Sequence, residues 1–189
     1  RKRHRYTLEQ RLALLTLLVE VDMVPRTAWA LMVPVSLSVV AIAGYWAMPA
    51  WLLVAAWLVG GCWVWLVWDA HLHDQTPRAA RDRRIELVLK TGLALFYLAL
   101  GAISLATRAP LSPQWLATKA LLFGVIFVAA IMIDVAFKPV GAQLGRLISE
   151  GSSDATELPL LRTMNRTRIW VWVVYLLLLA TAYLGLAKP

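Results

Sequence analysis

Charge is scarce in this sequence. Only 16% of its 189 residues are Asp, Glu, Lys or Arg, where soluble domains carry about 25%. A water-facing surface needs more, so an ordinary soluble globule is excluded. Cysteine is rarer still. Cys62 stands alone inside an apolar run, so no intramolecular disulfide staples the fold and no CxxC site exists. GxxxxGK[ST], GxGxxG and HExxH signatures are all missing. The longest polar stretch, 138–167, is too short for an independent hydrolase or kinase domain. Histidine is confined to His4, His71 and His73, which gives a bis-histidine haem no matched ligands on two spans.

Apolar residues are abundant. They make up 60% of the chain, ten Trp among them, and they fall in blocks of about 20, the length of a bilayer-spanning helix. The sequence predicts an all-α, polytopic integral membrane helical bundle. About five transmembrane helices are expected near 28–47, 50–69, 87–107, 115–137 and 168–187. The run 12–24 is short and holds Glu20 and Asp22. Two acids at mid-membrane are costly, so an N-terminal interfacial amphipathic helix, ended by Pro25, is expected there. The opening RKRHRYTLEQR is not read as a signal peptide, because no small-x-small cleavage site follows it. The organisation is a basic N-terminus with its interfacial helix (1–27), two hairpins (28–137), a cytoplasmic loop (138–167), and a fifth span with a short outer tail (168–189). A helix start near Thr156 and Pro159 would extend that span into the loop.

The formal charge of +8 points to membrane orientation rather than nucleic acid. With the N-terminus in the cytoplasm, Arg1, Lys2, Arg3, Arg5, Arg11 and Arg26 share a side with Arg78, Arg81, Arg83 and Arg84. Lys90, Lys138, Arg146, Arg162, Arg166 and Arg168 join them there, and only Arg108, Lys119 and Lys188 fall opposite. This bias predicts a cytoplasmic N-terminus and a C-terminus on the opposite side, which in a bacterial inner membrane is the periplasm.

Two groups of residues could carry chemistry. The inner end of the second span reads W-D-A-H-L-H-D. Asp69, His71, His73 and Asp74 supply the imidazole and carboxylate ligands that suit zinc, iron, nickel or copper(II). Asp69 and His73 share a helical face. Equally, polar residues belong wherever a span ends. Asp134 sits about a turn inside the fourth span, and Lys90 lies at like depth on the third, so an interfacial salt bridge is expected. Lys119 has no nearby acid and should snorkel outward.

Trp57, Gly61, Trp65 and Trp68 form an aromatic stripe on the second span. Large rings beside a glycine suit a partner helix or a flat hydrophobic ligand such as a quinone, sterol, carotenoid or chlorin. Packing in the core and contact with lipid explain such a stripe too. The Trp57 N–H, at mid-membrane, needs a carbonyl, a Ser or Thr on a neighbouring span, or a ligand. The face holding Trp57, Gly61 and Trp65 is expected to meet protein or a bound cofactor.

Gly44 and Gly101, Trp51 and Trp115, and Asp69 and Asp134 hint at a duplicated hairpin, which would make a pseudo-symmetric four-helix bundle with the fifth span at its side. The paired hairpins, Pro34 followed by Gly44, and the entry WLATKALLF at 115–123 resemble small bacterial inner-membrane proteins related to copper-resistance protein D. That resemblance covers the first four spans and implies copper handling through His or Met within early spans. Here no His lies inside a span, and Met23, Met32, Met48, Met132 and Met164 do not cluster. The sequence thus supports a non-catalytic accessory or scaffold subunit of a membrane complex. Alternatives are a small metal-ion or solute transporter and a membrane enzyme acting on a lipid or quinone. The expected partners are the lipid bilayer and other membrane subunits or a second copy.

Overall fold

The structure is a computed structural model that describes residues 8–188. Arg1, Lys2, Arg3 and Arg5 of the N-terminal basic cluster, and the side chain of Arg11, lie outside what is described. Among the described residues every regular element is an α-helix: α1 (Leu8–Ile42), α2 (Ala50–Leu72), α3 (Pro77–Thr107), α4 (Gln114–Phe137), α5 (Val140–Glu150) and α6 (Asp154–Ala187). Five segments are long and apolar enough to cross a bilayer: Val19–Ile42, Ala50–Leu72, Pro77–Thr107, Gln114–Glu150 and Asp154–Ala187. The chain is a multi-pass helical membrane protein in its length and composition. Helix is the form expected there, because hydrocarbon offers no water to satisfy peptide groups.

Two compact units divide the chain, one up to Glu86 and one from Leu87. In the first, α1 and α2 pair antiparallel. The segment expected to lie apart at the interface is helical but does not stop at Pro25. It is the N-terminal part of α1, which runs through both Pro25 and Pro34. A proline removes one hydrogen bond and crowds the preceding turn, yet breaking the helix in an apolar setting would strand several peptide groups instead. Asp22 and Arg26 pair at 2.6 Å one turn apart across Pro25. Pro34 is fully buried, and its ring rests on Gly60, where an added Cβ would stand 2.7 Å from Pro34 Cγ. The first span ends at Ile42, short of the expected 47, and the chain turns through Gly44 at φ 74°.

In the second unit α3 and α4 pair antiparallel at even closer range. A Cβ on Gly101 would lie 2.5 Å from the Leu121 backbone nitrogen, and one on Gly124 would lie 2.8 Å from that of Leu98. Small residues at helix crossings are the usual device in membranes, where packing replaces the hydrophobic drive. Tyr97 fills the next level, edge-on to Phe123 at 4.7 Å and stacked on Phe127 at 6.0 Å. α6 lies against α4 with its C-terminal end at the start of α4. Lys188 Nζ stands 5.8 Å from the Trp115 ring, and Lys119 reaches over Gly185.

The stretch 138–167 is mostly helical. α5 buries Val140 and Leu147, two turns apart, while Gly151 (φ 79°) breaks the chain before α6. α6 starts at Asp154, near the early start expected, under a reciprocal cap. Ser153 Oγ accepts from the Thr156 N–H, and Thr156 Oγ1 accepts from the Ser153 N–H at 3.0 Å. α3 likewise begins early, at Pro77, so Arg78, Arg81, Arg83 and Arg84 stand on a helix rather than in a loop.

Candidate functional site

α2 starts cleanly because Pro49, in extended conformation, caps it. Its 23 residues then present two unlike sides. Ala56, Gly60, Trp63 and Val67 are buried, three or four residues apart, on one helical face. Trp63 is 1% exposed, and its Nε1 donates to Glu86 Oε1 at 3.2 Å. The other side exposes Trp51, Trp57, Leu58, Trp65 and Trp68.

The mid-membrane indole finds the partner that physical chemistry demands. Trp57 Nε1 donates to Ser38 Oγ of α1 at 3.1 Å, and Trp68 Nε1 donates to Thr27 Oγ1 at 3.0 Å. Both rings are thereby anchored at one edge. Gly61, expected on the packed face, has nothing within 4 Å. The close approach belongs to its neighbour Gly60, because one residue along a helix is a 100° rotation. Trp65 is 54% exposed among the described residues, and Ser38 already satisfies the Trp57 N–H.

Of the four residues expected to share a metal, Asp69 and His73 meet, with His73 Nδ1 3.4 Å from Asp69 Oδ1, while His71 and Asp74 turn to other partners. Asp69, buried near the end of α2, accepts two parallel bonds from Arg78, from Nε at 2.7 Å and Nη2 at 2.6 Å. This fork satisfies a carboxylate in the geometry that guanidinium fits best. His73 turns its Nδ1 to the Asp69 carbonyl at 3.0 Å. His71 Nε2 is 3.5 Å from Glu20 Oε2 on α1. Asp74 is bonded by Arg83 and by Gln75 Nε2. The Arg83 hydrogen bond holds the Asp74 carboxyl below the usual carboxylate range. Among the described residues no group of three or more His, Cys, Asp or Glu is placed to hold a metal ion. Arg78 and Arg83 occupy the Asp69 and Asp74 carboxylates.

Asp134 and Lys90 do pair. Lys90 Nζ donates to Asp134 Oδ2 at 2.8 Å, with the lysine buried and the acid half-exposed.

Asp82 and Glu86, which the sequence reading passed over, are both buried. Asp82 is 1% exposed, accepts at Oδ1 from Arg81 at 3.4 Å, and its Oδ2 finds no donor among the described residues. Their signal was spacing: Arg78, Asp82, Glu86 and Lys90 recur every four residues along α3, one polar stripe on one face.

An all-helical, multi-pass membrane protein with an aromatic helix side and a charged helix end is thus defined. No protein family, no curated protein and no solved structure matches the chain.

Proposed function

We propose that this chain is a non-catalytic membrane subunit that joins other integral membrane proteins through the aromatic side of α2. The observation that carries the reading is the exposure of Trp51, Leu58 and Trp65 on α2, beside Trp57 and Trp68, which are anchored to α1. Anchored indoles lose little further side-chain entropy on binding, which is why Trp dominates interface energetics. The positive-inside bias adds an orientation: N-terminus in the cytoplasm and C-terminus on the opposite side of the membrane.

Native mass spectrometry of the protein, taken from its own membrane in lipid nanodiscs, tests the reading. The expected species is this 21.1 kDa chain with another membrane polypeptide at fixed stoichiometry. A Trp65→Ala variant with an unchanged melting temperature should lose that partner. A lone chain under these conditions overturns the reading.

A further inference from the structure

The two hairpins are one module repeated at an interval of 64 residues, and the repeat identifies what belongs on α2. Helix α2 starts at Ala50 and α4 at Gln114, each behind an extended proline, Pro49 and Pro113. Trp51 and Leu52 recur as Trp115 and Leu116. Gly60 and Gly124 each make the close crossing, against Pro34 and Leu98, which are themselves 64 apart. Ala30 and Ala94, Val33 and Tyr97, Ala56 and Ala120, and Trp63 and Phe127 are all buried, pair by pair. The turn after each first helix takes positive φ, at Gly44 (74°) and Arg108 (60°). Gly44 therefore corresponds to Arg108, and Gly101 corresponds to Leu37. Two unrelated hairpins would not share both the helix boundaries and the antiparallel register of their contacts.

The copies differ in what covers the second helix. On α4, the face turned to α6 begins with Trp115 and Lys119 and continues by helical spacing to Leu122, Ile126 and Ala129. Ile126 and Ala129 are 0% and 2% exposed. The same positions on α2 are Trp51, Ala55, Leu58, Cys62 and Trp65. There Cys62 is exposed and Trp65 is 54% exposed. This strip lies beside Gly61, whose counterpart Val125 stays exposed even though α6 is present.

We infer that the Trp51–Leu58–Cys62–Trp65 strip of α2 binds a transmembrane helix of another membrane protein, laid antiparallel to α2 as α6 is to α4. The inference rests on the subunit reading above and names its contact. It continues an interface the module already makes once. On α4 a large residue sits over a small one, Lys119 over Gly185. A partner on α2 accordingly places small residues at Leu58 and Trp65 and bulky ones at Ala55 and Cys62. A second copy does not fit this pattern. Parallel α2 helices about a two-fold axis would set Trp65 on Trp65 and Cys62 on Cys62, large on large and small on small.

Photo-crosslinking in the native membrane tests it. The photoreactive residue p-benzoylphenylalanine replaces Cys62, Leu58 or Gly61 in separate variants, with unchanged melting temperatures as the check on folding. Adducts to a transmembrane segment of a different polypeptide are expected from 62 and 58 and not from 61. Lipid adducts alone, adducts to a second copy, or a partner adduct from 61 but not 62 overturn the inference. If native mass spectrometry still finds a complex in that case, the subunit reading stands and only its assigned contact fails.

Discussion

Gly60 of α2 lies under the ring of Pro34 of α1, while Gly61, one residue on, faces nothing within 4 Å. The adjacent glycines therefore do different work, and substitution should separate them. Gly60→Leu must push the hairpin apart and should cost about 1–3 kcal/mol. Gly61→Leu should stay within about 0.5 kcal/mol of the parent. Thermal unfolding in detergent measures both, and equal losses at the two sites would refute the packing described.

The bond between Trp57 and Ser38 calls for a double-mutant cycle. Trp57→Phe keeps most of the ring and removes the N–H, while Ser38→Ala removes the acceptor. Their coupling should be about 0.6 kcal/mol, the usual size for a hydrogen bond between membrane helices. Fully additive losses would mean that the indole is satisfied elsewhere.

Asp134→Ala takes from the buried Lys90 ammonium the carboxylate to which it donates at 2.8 Å. Asp134→Ala should lower stability by about 1–3 kcal/mol. Adding Lys90→Met to that variant should restore much of the loss, because an apolar pair removes the cost of burying the charge. The melting temperatures of the single and double variants decide this. A double variant no more stable than Asp134→Ala would contradict the account.

Arg83 stabilises ionised Asp74, so the folded-state pKa of Asp74 lies below its unfolded value. The contribution is therefore present above the unfolded value, about 3.9, and is lost as pH falls through the folded value. Both side chains are half-exposed, so its size should fall in the surface range of about 0–1 kcal/mol. The melting-temperature gap between the parent and Asp74→Asn should hold steady from neutral pH to about pH 5 and close below that. A gap that widens in acid would reverse the sign argued here.

Orientation is checked by thiol labelling in a Cys62→Ser background. Lys2→Cys and Lys188→Cys should react with a membrane-impermeant maleimide from opposite sides of the membrane. Labelling of both from one side would remove the five-span orientation.

The sequence alone decided the class of the protein. Blocks of apolar residues long enough to span a bilayer force helices, because hydrocarbon offers peptide groups no other partner. The Lys90–Asp134 pair was legible for the same reason: opposite charges at like depth on adjoining spans attract strongly in an apolar setting. Depth and helical spacing are one-dimensional, and a sequence displays them directly. Rotation about each helix axis is different. An apolar span reads much the same all round, so nothing in GG at 60–61 said which glycine meets Pro34. Nor did W-D-A-H-L-H-D say that Arg78 and Arg83 would pair with its carboxylates. The structure decided these points through the register of the hairpins. Once Pro34 seats on Gly60, each neighbouring side chain is fixed to the buried or the exposed side of α2, and Trp65 is left on the exposed one.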